Sequence, residues 1–220
     1  LELITTGEKA GTWGTITNTN LQQLEQAASG YISHNIGAAD LALDLSNGAV
    51  SNGKNLYFKL TGTLTANRTM TMPDGAERVF VVEDATARSS SNYTLTVKTV
   101  SGTGLTLPVG STTLLYSDGT NITGKLQTKG YYTPSATYTT VNGDQVLIDT
   151  SGSGISAAVT INLPASPAIG NEVTFIDSGN NLASNNLTVG RNGSNINGSA
   201  SNLVVSTNAS AFTLVYVNAT

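Results

Sequence analysis

The chain has 220 residues, of which 39% are hydrophobic and only 11% are Asp, Glu, Lys or Arg, whereas an average soluble domain has about 25% charged residues. The net charge of −4 and the thin spread of ten basic residues argue against a nucleic-acid-binding protein, because no basic patch is available for phosphate. The absence of cysteine excludes disulfides and thiolate metal sites. No apolar run reaches the roughly 18 residues that a transmembrane helix needs, so we expect no membrane partner.

Residues 1–45 are predicted to form an N-terminal anchoring segment that contains one short helix. Asn18 or Thr19 is the candidate N-cap, because its side chain can accept a hydrogen bond from the first turn. Gly30 is predicted to mark the end of the helix.

The apolar residues of this helix are spaced so that they form one face. Leu21, Leu24, Ala28 and Tyr31 follow one another at spacings of three, four and three residues, a pattern typical of a seam between helices. We expect Trp13, Leu21, Leu24 and Ala28 to form an anchoring or oligomer contact. The alternative is a cap helix that folds over the end of its own β domain.

From Asn47 onward the hydrophobic period changes from helical to two residues, which indicates half-buried strands. Phe58 and Leu60 alternate with polar neighbours, and the same holds for the pairs Met70 and Met72 and Leu95 and Val97. The continuous run "VFVV" at 79–82 predicts a strand buried on both faces. Turns are predicted at "PDG", residues 73–75, and "DG", residues 118–119.

The chain contains an internal repeat at a separation of about ninety to one hundred residues. "MTMPDGAERVFVVEDA" is echoed by "INLPASPAIGNEVTFIDSG", and "YTLTVKT" and "TLLYSDGT" by "NNLTVGR" and "TLVYVNAT". The matched positions keep their order, with Pro73 facing Pro164, Val97 facing Val189, and Tyr116 facing Tyr216. We therefore predict two related β modules, residues 46–126 and 127–220, joined near "GKLQTKG".

The strands are short and evenly spaced, and no alternation of strands with helices is visible. This pattern predicts an all-β fold of two tandem small β-sandwich or barrel-like modules, preceded by the short N-terminal helix-containing anchoring segment. A parallel β-helix is not expected, because the rungs of such a fold recur far more often than every ninety residues.

Candidate catalytic groups are sparse, and we predict a protein that is not an enzyme. The single histidine, His34, lies just after the helix in "YISHNIG", and no "GxSxG" motif is present, so a nucleophilic triad is not expected. Carboxylate pairs could cleave a glycosidic bond without histidine. The pairs present are Glu83 with Asp84, Asp144 with Asp149, and Glu172 with Asp177, and neighbours along a strand mostly point to opposite sides.

No metal or cofactor site is predicted. The stretch "DSGNNLASNN" at 177–186 offers oxygen ligands at short spacing, but it lacks the several carboxylates and fixed spacing of a calcium motif. We interpret it as an Asx-rich hairpin loop.

Three tyrosines near the junction of the modules form a candidate contact site. Tyr131, Tyr132 and Tyr138 lie in "GYYTPSATY". Sugars stack on exposed aromatic rings and accept hydrogen bonds from nearby polar groups, so these residues predict either a glycan site or an inter-module packing contact.

Three parts of the chain resemble segments of known proteins. "TTGEKAGTWGTITNTNLQQLEQAASGYI" resembles the opening of many tail-associated structural proteins of marine and other tailed bacteriophages. "LTGTLTANRTMTMPD" with "VKTVSGTGLTLPVGSTTLLYSDGTNI" is similar to the β module that follows there. "GDQVLIDTSG" and the residues after it resemble a β module of phage fibre and whisker-like proteins.

The resemblance implies a fibre-like virion structural protein on the exterior of a tailed phage, at the tail or neck rather than the head. It implies trimeric assembly and contacts with other virion proteins. The chain opens on Leu1 and closes on "FTLVYVNAT", which is typical of a piece of a longer polypeptide. Two alternatives remain: a receptor-binding module for host glycans, and a tailspike-type polysaccharide depolymerase with a parallel β-helix and a carboxylate pair across a groove.

Overall fold

The computed structural model describes residues 1–90, 92–128, 130–152 and 155–218, and for residues 125–128 it describes the backbone alone. The described chain is mostly β, with one N-terminal helix, and it clusters into two compact units. Unit 1 comprises Leu1–Ala87, Leu95–Thr106 and Thr112–Gln127, and unit 2 comprises Arg88–Thr94, Leu107–Ser111 and Thr128–Thr220. Lys129, within the predicted junction, and the last two residues, 219 and 220, lie outside the described residues.

The helix α1 spans Trp13–Ser29. The strands of the first half are β1 Tyr31–Asn35, β2 Leu41–Ala42, β3 Tyr57–Thr61, β4 Thr63–Leu64, β5 Arg68–Met72, β6 Glu77–Asp84, β7 Ala87–Arg88, β8 Leu95–Thr99, β9 Gly104–Leu107, β10 Thr112–Asp118 and β11 Ile122–Thr128. Those of the second half are β12 Tyr131–Tyr132, β13 Tyr138–Thr139, β14 Gln145–Ile148, β15 Val159–Asn162, β16 Glu172–Asp177, β17 Leu187–Gly190, β18 Leu203–Val205 and β19 Ala211–Val215.

Unit 1 is a β-solenoid of three parallel coils. Its two larger sheets have the orders β1-β3-β6-β10-β11 and β2-β5-β8-β9, and β4 pairs with β7 in a separate two-stranded sheet. Successive coils pair in parallel and in register, so Tyr31 lies beside Tyr57, which lies beside Val81, 26 and then 24 residues further along. β10 then pairs antiparallel with β6, which ends the parallel stacking.

The core of unit 1 lies between these two sheets. β3, β5, β6 and β8 alternate buried and half-buried residues, because successive side chains of a strand point to opposite faces. The inward residues are fully buried: Phe58, Leu60, Met70, Met72, Phe80, Val82, Leu95 and Val97. The predicted inward faces of these strands are confirmed.

Strand β6 differs from its prediction. "VFVV" is not buried on both faces, because Val79 is exposed and Val81 is only half-buried, whereas Phe80 and Val82 face the core. A β-branched residue on the outer face of a sheet is favoured by β-propensity alone, so a continuous apolar run does not require burial on both sides.

The helix begins earlier than predicted and ends where predicted. Its N-cap is Thr12, so the prediction of Asn18 or Thr19 is wrong, and Gly30 follows the last helical residue in an extended conformation. Within the helix, Asn20 bonds to the N-terminal segment: its Oδ1 accepts from the Glu2 backbone N at 2.9 Å and its Nδ2 donates to the Glu2 carbonyl at 2.7 Å.

Unit 2 is also a β-solenoid of three parallel coils. Its sheets have the orders β12-β14-β16-β19 and β13-β15-β17-β18. β12, β14 and β16 pair in parallel, as do β13, β15 and β17. Two antiparallel strands, β19 against β16 and β18 against β17, follow the last coil. Its core contains Val146, Ile148, Val159, Ile161, Val173, Phe175, Leu187 and Val189.

The prediction of two β-sandwich or barrel-like modules is wrong, because both units are parallel β-solenoids. Period-two patterning reports which face of a strand is buried, and that pattern is the same in a sandwich strand and in a coil strand. Parallel strands are usually joined by a helix, and that helix is the signal for parallel pairing in a sequence. In these coils the parallel strands are joined by short loops that cross to the other sheet, so that signal is absent.

The strands that the internal repeat matches pair in the same direction in the two units. β5 and β8 pair in parallel, as β15 and β17 do. β6 and β10 pair antiparallel, as β16 and β19 do. The prediction that a ninety-residue repeat excludes parallel coils is therefore wrong, because one repeat contains several coils.

Candidate functional site

The apolar face of helix α1 points away from unit 1. Trp13 is 63% exposed, Leu21 58% and Leu24 50%, and Ala28 is exposed as well. At 100° per residue, Trp13, Thr17, Leu21, Leu24 and Ala28 fall within an arc of about 80°. We call this set the α1 stripe. Contiguous exposed apolar patches are common at interaction sites, so the α1 stripe is a candidate contact surface.

The opposite face of α1, which contacts unit 1, is mostly polar. Gln23 is 4% exposed, and its Oε1 accepts a hydrogen bond from Lys54 Nζ at 2.5 Å. Lys54 Nζ also donates to the carbonyls of Ser46, at 2.6 Å, and Ala49. Burial lowers the pKa of Lys54, against the opposing effect of Asp44. Gln26 donates to the Ser51 carbonyl at 3.3 Å.

The N-terminal residues extend the exposed apolar surface beside the helix. Glu2 is held by Asn20 and pairs with Lys9 at 3.0 Å. Leu1, Leu3 and Ile4 are all exposed, with Leu3 at 91%. The polar inward face and this segment were not predicted from the sequence, although Gln23 and Gln26, three residues apart and on a different face from the leucines, were the available signal.

An open cleft of about 470 Å³ lies along the C-terminal half of α1. It is lined by residues of the helix, by Tyr31 and by the loop that precedes β3, including Val50 and Asn55. Tyr31 is exposed and stacks on Tyr57 with a ring separation of 5.7 Å. Tyr31 was placed at the end of the predicted seam, and it lies at the edge strand of its sheet instead of in the helix.

The three tyrosines of the predicted glycan or inter-module site differ in exposure. Tyr131 is 62% exposed and Tyr132 half-buried, whereas Tyr138 is 3% exposed. Tyr132 packs edge-on against Tyr138 at 5.0 Å. The Tyr138 hydroxyl donates to Asp144 Oδ2 at 2.8 Å, and burial, followed by the charge of Asp144, raises its pKa well above the ordinary value. A buried ring cannot stack on a sugar, so Tyr138 has a structural role.

Changing Tyr138 to Phe is expected to lower the free energy of unfolding by about 1–3 kcal/mol, because the buried Asp144 carboxylate loses one donor while the ring packing is kept. Urea unfolding followed by circular dichroism measures the change. Tyr131→Phe is the matched control and should stay within about 0.5 kcal/mol, since that side chain is exposed. Equal effects of the two variants would contradict this role.

The predicted carboxylate pairs serve local structure. Glu83 accepts from Tyr57 and pairs with Lys59 at 2.9 Å, whereas its neighbour Asp84 is buried and accepts from Thr86. Asp149 accepts from the backbone N of Ser151 at 2.9 Å and from its hydroxyl. Among the described residues, no three His, Asp or Glu side chains are grouped so as to hold a metal ion.

The stretch 177–186 is not a hairpin loop, because it connects β16 and β17, which belong to different sheets. Asp177 Oδ2 accepts from the backbone N of Ala209 at 2.9 Å. Asn181 and Asn185 both donate to the Thr150 carbonyl, at 2.7 and 3.1 Å. The amides therefore tie one coil to the next.

His34 lies in β1 with its Nε2 buried and without a hydrogen-bond partner among the described residues. Burial lowers its pKa below the ordinary value of 6.5. The unfolded chain therefore binds more protons than the folded chain just below pH 6.5, so the stability is expected to fall as the pH drops through this range.

The His34→Gln variant should show a flatter dependence of the unfolding free energy between pH 7 and pH 5, measured by urea unfolding at each pH. Hydrogen bonds from Ser46 and Ser151 lower the pKa values of Asp44 and Asp149, so the stability that these carboxylates contribute is lost only as the pH falls below about 5. An unchanged pH dependence in the variant would contradict the role of His34.

Among the described residues, no helix is long and apolar enough to span a membrane. Comparison with known proteins finds no matching protein family and no curated protein with a significant match. Among solved structures eight chains match. One, from a structure described as a chaperone–substrate complex, is 11% identical with a TM-score of 0.36, and the match covers 84% of this chain and 30% of that chain. This chain thus spans less than a third of its length, and so low a score carries no argument.

Proposed function

We propose that this protein is a non-enzymatic structural component of a tailed-phage virion, fibre- or whisker-like, located on the particle exterior at the tail or neck. Its N-terminal segment attaches to the particle, and the β-solenoid units present a polar, weakly charged surface. Support comes from the resemblance of three sequence phrases to such proteins, and from the repeat-like all-β fold, which is compatible with a fibre-like protein.

The observation that carries the proposal is the α1 stripe. A helix that only capped its own domain would place its apolar residues inward, yet here Gln23 faces inward while Trp13, Leu21 and Leu24 face solvent. Burying an indole and two leucines at a contact contributes roughly 1.5–3 kcal/mol for each side chain.

We propose a second copy of the chain as the partner of the α1 stripe, in a trimer, with other virion proteins contacting the remainder of the N-terminal surface. Thr17, Leu21, Leu24 and Ala28 repeat at spacings of four, three and four residues, which is the knobs-into-holes spacing of helices packed side by side. Glu25 is the only charged residue in α1, so copies would meet with little repulsion.

The depolymerase alternative predicts parallel β-coils and a carboxylate pair across a groove. The coils are present. The carboxylates of Glu83, Asp144 and Asp149 instead accept hydrogen bonds from Tyr57, Tyr138 and Ser151, and these structural roles favour the structural proposal.

The experiment is the mass of the purified chain in solution, measured by analytical ultracentrifugation for the wild type and for Leu21→Ser with Leu24→Ser. We expect a trimer for the wild type and a folded monomer for the variant, since the two leucines are exposed and contribute little to the isolated fold. Incorporation of the variant into particles should be lost.

Val204→Ser with Val217→Ser is the matched control, because both residues are exposed in unit 2 and lie outside the α1 stripe. It should leave the mass and the incorporation unchanged. A wild-type monomer would refute self-association, and normal incorporation of the leucine variant would refute the anchoring role.

A further inference from the structure

Two loops of unit 2 are much longer than their counterparts in unit 1. The β5–β6 loop spans the four residues 73–76, and the equivalent β15–β16 loop spans the nine residues 163–171. The β8–β9 loop spans the four residues 100–103, and the equivalent β17–β18 loop spans the twelve residues 191–202. Unit 1 shows that the coils close without this extra length. Loops added to a rigid scaffold commonly carry binding sites.

Both long loops line the same cavity, which has a volume of about 90 Å³. Its apolar part includes the buried Val173 and Ile196, together with Leu214. Tyr216 and two prolines, Pro164 and Pro167, complete the apolar wall. The cavity lies entirely within unit 2 and is separate from the α1 stripe.

Hydrogen bonds between the loops hold the cavity in shape. Asn192 Nδ2 donates to the Leu163 carbonyl at 2.8 Å, which joins the two long loops. Gly170 N donates to the Tyr216 carbonyl, and Tyr216 N to the Asn171 carbonyl, both at 2.8 Å. A binding site that is already ordered avoids the entropic cost of ordering its loops on binding.

The polar side chains that line the cavity are amides, the hydroxyls of Ser194 and Tyr216, and one carboxylate. Asn171, Asn195, Asn197 and Ser194 line it, with Glu172 as the carboxylate. None of the described lining residues is Lys or Arg. Anionic ligands are therefore disfavoured by repulsion from Glu172, and a neutral ligand with amide or hydroxyl groups is favoured.

We propose that this cavity binds the acetamido group of a neutral glycan that contains N-acetylhexosamine. Pockets for whole drug-sized ligands measure roughly 300–1,000 Å³, so this cavity accommodates one substituent and leaves the sugar ring at its mouth. An acetamido group combines a methyl, which fits against Val173 and Ile196, with an amide, which pairs with the asparagine side chains. The hydroxyls of the ring then meet Asn195 and Asn197.

The site goes beyond the proposed assembly role and does not depend on it. Its test uses the purified 220-residue chain in solution, so a failure here leaves the α1 stripe untouched, and a failure of assembly leaves the cavity untouched.

The measurement is a titration of the methyl NMR signals of Val173, Ile196 and Leu214 with a trimer of N-acetylglucosamine. The matched ligand is the glucose trimer of the same linkage, which lacks the acetamido groups. We expect saturable shifts with the first at millimolar concentration, and binding at least roughly tenfold weaker with the second, a difference of 1.4 kcal/mol. No shifts, or equal affinities, would overturn the proposal.

A third arm uses N-acetylalanine methylamide, which offers an acetamido group without a sugar. Binding as tight as that of the N-acetylglucosamine trimer would overturn the glycan assignment, because the ring would then contribute nothing. Weaker binding supports it.

Two variants locate the site. Asn195→Trp places a large side chain at the cavity, and we expect it to weaken binding of the N-acetylglucosamine trimer at least roughly tenfold. Ser199→Trp is the matched control: it lies in the same loop, is exposed and does not line the cavity, so its affinity should stay within roughly twofold. Unchanged affinity in Asn195→Trp would overturn the assignment, and the titration of the unmodified chain decides the question if that variant fails to fold.

Discussion

Phe58→Ala is expected to lower the free energy of unfolding by about 3–5 kcal/mol, the range found when a large aromatic side chain is deleted from a packed core. Phe58 is fully buried in β3 and contacts Phe80 of β6 edge-to-face, with ring centroids 6.0 Å apart and planes at 88°. The deletion therefore removes both the apolar burial and an aromatic pair worth about 0.5–1.5 kcal/mol.

Urea unfolding followed by circular dichroism measures this loss. Phe58→Leu is the matched control, because it keeps most of the buried volume, and it should cost less than about 2 kcal/mol. A cost below about 1 kcal/mol for Phe58→Ala would mean that the Phe58 ring and its contact with Phe80 on the neighbouring strand do not stabilise the core of unit 1.

Gly102→Ala is expected to destabilise the chain by about 2–4 kcal/mol, through overpacking and loss of a buried hydrogen bond. A Cβ at Gly102 would lie 1.7 Å from the Thr120 carbonyl oxygen, and 2.5 Å from Thr99 Oγ1. The loop must then move. Its movement disrupts two hydrogen bonds of the fully buried Thr99, whose hydroxyl donates to the Thr120 carbonyl and accepts from Gly102 N at 3.0 Å.

Gly14→Ala is the matched control, with the opposite sign. Gly14 lies inside α1, and an added Cβ there meets nothing within 4 Å. Alanine should stabilise that helix by up to about 1 kcal/mol. Thermal unfolding of both variants by circular dichroism tests the pair, and a neutral Gly102→Ala would show that this loop does not hold β8 against the β10–β11 turn.

Several features of the fold could be predicted from the sequence because they depend on near neighbours in the chain. Met70 and Met72, two residues apart, face the same side of β5 whichever strand lies beside it. The 3-4 spacing of Leu21, Leu24 and Ala28 defines one face of a helix without reference to any partner. The repeat of Pro73 and Pro164 likewise required only a comparison of the chain with itself.

The parallel coils could not be predicted in this way. Register between β3 and β6 joins Phe58 to Val82 across 24 residues, and nothing in either strand specifies a parallel partner instead of an antiparallel one. The burial of Tyr138 could not be predicted for the same reason, because it depends on the hydrogen bond to Asp144 and on the coils that contain β13 and β14. The start of α1 shows the same limit, because the N-cap is Thr12 and the predicted caps Asn18 and Thr19 lie inside the helix.

The cavity of unit 2 could not be predicted from sequence motifs either, because its lining residues are far apart in the chain. Its residues come from stretches 163–173, 194–197 and 214–216, and none of these contains a chemical signature. The signal in the sequence was the difference in loop length between the two copies of the repeat, which acquires meaning only after the strands have been matched in space.

The sequence by itself determined that the chain is mostly β after one N-terminal helix, which faces of several strands and of the helix are apolar, and that two halves of the chain repeat. These properties follow from backbone geometry and side-chain polarity over a few residues. The tertiary structure alone decided which strand pairs with which, that Gln23 faces inward while Leu21 and Leu24 face solvent, and where the long loops meet. Those outcomes depend on packing between residues far apart in the chain, for which local periodicity holds no information.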